Sequence, residues 1–502
     1  MTLLRRIPLF AALALTLAAP SLAQPTAELA AKARQGQAAM AAGRFDEAAR
    51  IYSELVEAVP GEAGLRLNLG MALGMAGRPR DAIPHLQAAF DSRRPELVTP
   101  AALFLGAAHM ELGQPDRAVD PLETFLAAQP DHADARRMLG EALLALGRHD
   151  EAARQYRALS EREPQDPRAW YGLGRSYEGV SQQAFEELQT LAPESVEILM
   201  LVADLMVSQE RDKRAFTLYR EALEKDPKRA EAHAAVAAIY ERDGHPEWAA
   251  RERAMADAAP PPDCASAPLE CDFRAGRYLE MVRAAEDVPT AEGRYWLSRA
   301  AGELAREAFA RLEQLGPSPE ATLFQVQVLR AQQRYSESKE ALETAVKAWP
   351  EDIRIRQELA RLLFIAREYQ EARPVLEDLL KHDPGSAELN LLLGELWVEQ
   401  RQPEKGIPYL EKAVDAAPGW LRTKAVLGRA YLDAGQAQKA VPQLEAALTT
   451  DEDGSLRFQL ARAYQAAGQP DQARRMRQEF QEIQREARAE EEEEDEVVIT
   501  PP

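Results

Sequence analysis

The chain has 502 residues, 46% of them hydrophobic and only 6% aromatic, a composition weighted to helix formers such as Ala, Leu, Glu, Arg and Gln. Its formal charge of −21 excludes nucleic acid and anionic lipid as main ligands, because both require clustered positive charge.

The first 23 residues read as an export signal and not as part of a fold. Arg5 and Arg6 form a charged n-region, Ile7 to Ala19 is apolar, and Ser21-Leu22-Ala23 offers a small-x-small cleavage site before Gln24. The apolar run is short for a membrane span, and position 24 is not the cysteine of a lipoprotein anchor. An uncleaved N-terminal anchor is the alternative. No later stretch reads as a membrane helix, so the expected product is soluble and exported, periplasmic or secreted, with no stable membrane insertion after cleavage.

From residue 29 a fixed step takes over. Gly106, Gly140 and Gly174 stand 34 residues apart, as do Pro350, Pro384 and Pro418, and Leu376, Leu410 and Leu444. A period of this length marks stacked helix pairs that bury their apolar faces against neighbours. In residues 133–166 the first helix carries Arg136, Leu139, Gly140 and Leu143 at helical spacing. Gly147-Arg148 turns the chain, the second helix carries Ala152, Tyr156 and Leu159, and Pro164 stops it. Gly140 in mid-helix costs about 1 kcal/mol against Ala, which makes sense where a neighbouring helix approaches closely.

The step slips in 167–195, where Gly174 to Ala184 spans ten residues while Gly140 to Ala152 spans twelve. This reads as a shortened repeat within an N-terminal array over 24–263. The same shape returns 124 residues later, Ala308-Phe309 repeating Ala184-Phe185, which points to a duplicated block. Between the copies, Pro260-Pro261-Pro262 precedes a degenerate repeat over 264–293, the candidate hinge. It holds the two cysteines, Cys264 and Cys271. In an oxidising compartment a disulfide between them would stabilise by about 2.5 kcal/mol on the chain-entropy model. Free thiols come next. A metal site is disfavoured because six residues intervene and no His is near. A C-terminal array follows over 294–486, its last unit polar as a cap should be. Glu490 to Glu496 is seven acidic residues in a row, so 487–502 is expected to be a disordered acidic tail.

The stretches LNLGMALGMAG, LFLGAAHMELG, MLGEALLALG and VLGRAYLDAG resemble the tetratricopeptide repeat (TPR) family, over residues 29–166, 196–263 and 319–486. The resemblance implies an all-α, right-handed α-solenoid of about fourteen stacked helix–turn–helix repeats, with the first helix of each lining a concave groove. Carried onto this chain, the groove positions give an apolar N-terminal set, Met40, Leu67, Met71, Leu103, Ala107 and Met110. Such a surface suits an amphipathic helix or an apolar peptide, but the same spacing also serves packing into neighbouring repeats. Farther along, the groove positions become Arg354, Arg361, Arg422, Arg429 and Arg462, with Glu395 among them. These form either a stripe for an acidic ligand or a set paired with acids of adjacent repeats or of the tail. The Lys/Asn clamp with which some members hold chaperone carboxylates is not matched: position 9 is Gln37, Met71, Ala107 or Glu141 in the first units.

No catalytic residue and no cofactor is assigned. The seven histidines lack metal-ligand spacing, Gly172-Leu173-Gly174 lacks a preceding strand, and the cysteines have no paired His. His109 and His233 occupy packing positions of the repeat. The expected function is a non-enzymatic scaffold in the cell envelope of a bacterium, binding other proteins in the groove. A binder of envelope polysaccharide is the first alternative and an enzyme using groove carboxylates the second. Six scattered tryptophans do not favour the former.

Overall fold

A computed structural model describes residues 27–286, 288–496 and 499–502, so the expected signal peptide lies outside the described residues. Among these residues the chain forms twenty-six α-helices and no strand. None of the helices is long and apolar enough to cross a membrane.

The first eight helices are four pairs: α1 (Ala27–Ala41) with α2 (Phe45–Ala58), α3 (Ala63–Met75) with α4 (Pro79–Phe90), α5 (Pro95–Glu111) with α6 (Pro115–Ala128), and α7 (Ala133–Ala145) with α8 (His149–Arg162). The mid-helix glycines explain how each pair closes. A Cβ built on Gly106 would stand 2.6 Å from Leu122, and one on Gly140 2.7 Å from the Tyr156 ring. The facing small residues Ala48, Ala82, Ala118 and Ala152 are all 0% exposed. The helices therefore touch near their backbones, and a large side chain from the second helix fills the notch.

The turn inside each pair needs one residue in the left-handed region, and Gly43, Gly77, Gly113 and Gly147 supply it at φ 65° to 78°. In four later pairs the same turn carries Glu210, Gln333, Arg367 and Arg401, at φ 57° to 61°, where a Cβ is unfavourable. Arg401→Gly and Gln333→Gly are each expected to raise stability by about 0.5 kcal/mol, the relief of strain exceeding the entropy that glycine loses on folding. A higher urea midpoint at unchanged slope is the expected reading; a lower midpoint would show that the side chains contribute more than the strain they bring.

The shortened repeat is not a pair at all. Residues 167–191 form one unbroken helix, α9 (Pro167–Leu191), of 25 residues. The two missing residues are those of the turn, and without a left-handed residue the chain continues straight through. After α9 come α10 (Val196–Ser208), α11 (Asp212–Lys225), α12 (Ala230–Arg242) and α13 (Pro246–Ala258), then the short α14 (Pro268–Arg274) and α15 (Tyr278–Glu286). The second shortened repeat is likewise a single helix, α16 (Ala291–Gln314), of 24 residues.

Helices α9 and α16 lie against each other. The Phe309 ring enters the space over Gly174, where a Cβ would meet it at 2.6 Å. Ser181 Oγ donates to the Ser298 carbonyl at 2.8 Å and Ser298 Oγ to the Ser181 carbonyl at 3.0 Å. Arg294 pairs with Glu187 at 2.8 Å. The chain consequently divides into two compact units, each built from two separate stretches. One contains the residues up to Pro193 with Pro262–Gly316; the other contains Glu194–Pro261 with Pro317–Pro502. The linear order, an array to 263 followed by another from 294, is not the order of packing, because the turnless helices α9 and α16 seek each other.

Cys264 and Cys271 precede and enter α14 with their Cα atoms 5.6 Å apart and their sulfurs at 2.03 Å, inside the span a disulfide bridges. The remaining helices are pairs again: α17 (Pro319–Ala331) with α18 (Tyr335–Ala348), α19 (Ile353–Ile365) with α20 (Tyr369–His382), α21 (Ala387–Glu399) with α22 (Pro403–Ala416), α23 (Leu421–Asp433) with α24 (Ala437–Ala447), and α25 (Ser455–Ala466) with α26 (Pro470–Glu496). The last helix, α26, runs to Glu496. Glu is a good helix former, and the acidic run extends a helix already supported by pairs such as Arg475–Glu479.

Candidate functional site

First helices of successive pairs pack on one another, α3 on α5, α21 on α23 and α23 on α25. The candidate groove residues lie on these first helices.

The apolar set is not open there. Met40, Leu67, Met71 and Leu103 are 3–4% exposed and Ala107 is 0% exposed, while Met110 is half-buried. Helix α3 packs on α2, α4 and α5 together, so little of its circumference is left free. Helical spacing is identical for a packing face and a groove face, and here the residues lie inside.

The basic set is a ladder. Arg361 Nη1 meets Glu358 at 2.7 Å, and its Nη2 reaches Glu388 of the next pair at 2.7 Å, with Nε on the same carboxylate. Arg354 bonds Asp352 at 2.6 Å and Glu320 of the preceding pair at 2.7 Å. Arg422 reaches back to Glu395 at 3.1 Å. Arg429 pairs with Glu399 at 2.7 Å, and Arg462 approaches Asp433 at 3.8 Å. Arg330 adds a further link to Glu358. The five arginines named from the sequence thus come together with acids of neighbouring first helices.

These partners shape the electrostatics. Pairing with Glu388 holds the Arg361 guanidinium above its ordinary range, against the pull of burial. Burial disfavours charge on Arg354, but its bonds to Asp352 and Glu320 outweigh this and raise it as well. Burial pushes the Glu395 carboxyl above the usual carboxylate range, with the Arg422 charge opposing. The carboxylates Glu358, Glu388, Glu399 and Asp433 were not singled out by sequence reasoning. A signal exists: Arg361 and Glu388, like Glu395 and Arg422, are 27 residues apart, one repeat less two helical turns.

The histidines at packing positions are buried and bonded. His109 Nδ1 meets Gln114 Oε1 at 2.9 Å. His233 Nδ1 meets Glu252 at 2.6 Å, and its Nε2 faces the Pro227 carbonyl at 3.1 Å. No group of three or more His, Cys, Asp or Glu side chains among the described residues is arranged to hold a metal ion.

Comparison with known proteins places these repeats. The chain is 27% identical over 128 residues to the CTR9 homolog of Arabidopsis thaliana, a match covering 24% of this chain and 12% of that protein. Among solved structures it is similar to MamA from Desulfovibrio magneticus RS-1, with 21% identity, 33% of this chain and 95% of that one covered, and a TM-score of 0.31. The hetero-tetramer Cut9–Hcn1 of the APC/C is similar at 14% identity over 91% of this chain and 94% of that one, with a TM-score of 0.34. Tetratricopeptide repeat profiles match residues 33–95, 109–175, 329–396, 363–430 and 454–479. Helix pairs closed by small residues, the 34-residue step and these matches together make the chain a member of the tetratricopeptide repeat family.

Proposed function

We propose that this protein is an exported, non-enzymatic scaffold of a bacterial envelope, docking a peptide or partner domain on the inner face of the first helices between residues 319 and 466. Repeats of this family serve as protein-interaction scaffolds, which supports the class of activity. The leader-like sequence before Gln24 supports export.

The half-open state of the charged ladder carries the site assignment. The side chains of Arg354, Arg422 and Arg462 are 47%, 55% and 53% exposed while already held by carboxylates of the chain. Where the acid is itself about a third exposed, as in Arg462–Asp433, such a pair contributes about 0–1 kcal/mol, and a partner's acidic group can replace it at little cost. Where the acid is largely buried, as Glu320 and Glu395 are, the partner adds a second acceptor to the exposed guanidinium, so the ladder selects register and orientation more than it supplies affinity. No covalent bond to the partner is made or broken.

The mature chain, immobilised, should capture a defined protein from envelope extract. Arg361→Glu combined with Arg429→Glu should reduce that capture at least tenfold, because like-charge contacts cost several kcal/mol at a matched face. A circular-dichroism melt checks that the variant keeps its helices. Undiminished capture by the folded variant would overturn the charged-face assignment.

A further inference from the structure

Helices α11, α12 and α13 carry an aromatic cluster that no part of the reading above uses. Tyr240 of α12 is 0% exposed, its ring edge-on to Phe216 at 5.6 Å and to Trp248 at 5.5 Å. Trp248 stacks on His245 at 3.7 Å. A buried tyrosine hydroxyl needs a hydrogen-bond partner. Tyr219 and Tyr431 find one on a nearby helix, Tyr219 on Asp204 at 2.5 Å and Tyr431 on Glu411 at 2.6 Å. Tyr240 instead donates to the backbone carbonyl of Thr500, 260 positions away, at 2.5 Å. Ile499 beside it is half-buried. Both partners belong to the same compact unit.

We propose that the α11–α13 aromatic cluster is a docking site for an extended, proline-containing peptide, and that its resident occupant is the chain's own segment Ile499–Pro502. The chemistry of the segment fits. Pro501 excludes the helical conformation at Thr500, and Pro501-Pro502 favours the polyproline II form, which costs little entropy to order. The contact made is with the bare carbonyl: the Tyr240 hydroxyl takes the Thr500 oxygen and Ile499 is half-buried, while Thr500, Pro501 and Pro502 stay exposed. Helix α26 ends at Glu496, so the segment is tethered only a few residues from a rigid element. Tethering raises its local concentration to the millimolar range. A contact too weak to hold a free peptide can therefore be kept closed within the chain. An outside peptide of the same chemistry must displace the segment to bind.

The test compares the full chain with one ending at Glu496, using a fluorescein-labelled synthetic peptide of residues 493–502 and anisotropy as the readout. The shortened chain should bind the peptide saturably, and the full chain at least tenfold more weakly, because its own segment competes. Tyr240→Phe in the shortened chain keeps the buried ring and should weaken binding about fivefold, the worth of one neutral hydrogen bond. A peptide with Ala at both proline positions should bind more weakly to the unaltered shortened chain, a check that needs no change in the protein. No binding by the shortened chain, or equal binding by both chains, would overturn the proposal. So would light scattering that finds the full chain dimeric and the shortened chain monomeric, since the segment would then be exchanged between copies.

Discussion

Replacing Gly174 with leucine is expected to cost about 3 kcal/mol, although glycine in mid-helix is itself a poor choice and any residue there gains helix propensity. The reason lies across the α9–α16 contact. Phe309 is 4% exposed, and its Cε1 and Cζ would stand 2.6 Å from a Cβ at position 174. The ring has no way to retreat without moving a helix that Ser181, Ser298, Glu187 and Arg294 hold in place. Even Gly174→Ala, which brings about 1 kcal/mol of helix propensity, should come out destabilising by about 1 kcal/mol. Phe309→Ala alone should cost about 3–5 kcal/mol through the cavity it leaves. The decisive measurement is the double variant. With the ring gone, Gly174→Ala should become neutral or stabilising, a coupling of about 2 kcal/mol in a double-mutant cycle. Repeat arrays need not unfold in one step, so the cycle is read on the transition that includes this unit, by urea denaturation followed in the far ultraviolet. Additive effects would show that Gly174 and Phe309 do not share the space that the structure gives them.

That contact also marks where the sequence stops being legible. The helix pairs, their small-residue crossings and their glycine turns follow from local spacing, and Gly140 against Tyr156 is visible in the 34-residue frame itself. The lapse in the frame is visible too, as ten residues where twelve belong. Its outcome is not. A shortened pair and a single straight helix use the same letters, and only the absence of a left-handed residue between Gly174 and Ala184 separates them. The partner of the straight helix is less legible still. Ala308-Phe309 repeats Ala184-Phe185, yet Phe309 is buried over Gly174 while Phe185 is only half-buried. At position 298, the counterpart of Gly174, a serine bonds Ser181. The duplication is plain in sequence, but the asymmetry of the contact between its copies arises from three-dimensional fit. The charged ladder falls between these cases. Its arginines stand out at two repeat positions, whereas the acids that hold them keep no single step: Glu388 and Glu395 sit 27 residues from Arg361 and Arg422, while Glu320 sits 34 from Arg354. The apolar positions Leu67 and Met71 were ambiguous for a simpler reason, since a face that packs and a face that binds have the same period.

The second large effect is expected at Glu252, whose side chain is 1% exposed on α13. It is hydrogen-bonded to His233 Nδ1 at 2.6 Å, with Arg220 Nη1 at 3.8 Å on its other oxygen. On the far side of the ring, His233 Nε2 faces the Pro227 carbonyl at 3.1 Å. A carbonyl can only accept, so Nε2 must carry a proton for that bond to form. One proton joins Nδ1 to the Glu252 carboxyl. Glu252→Ala removes that partner from inside the packing of α12 and α13 and leaves a buried polar ring and a nearby cation uncompensated. Losses of this kind run to about 3–4 kcal/mol, against about 1 kcal/mol for an exposed pair such as Arg474–Asp471. Glu252→Gln keeps the shape and an acceptor oxygen and should lose about half as much. His233→Ala in the Glu252→Ala background should add little, because the two side chains satisfy each other. The effect should also be confined to the α10–α13 stretch: amide exchange should accelerate in α12 and α13 while α19 to α24 keep their protection. Uniform acceleration across all helices would mean that Glu252 supports the whole array and not this one buried network, and an unchanged melt would mean that the network contributes nothing to holding α12 on α13.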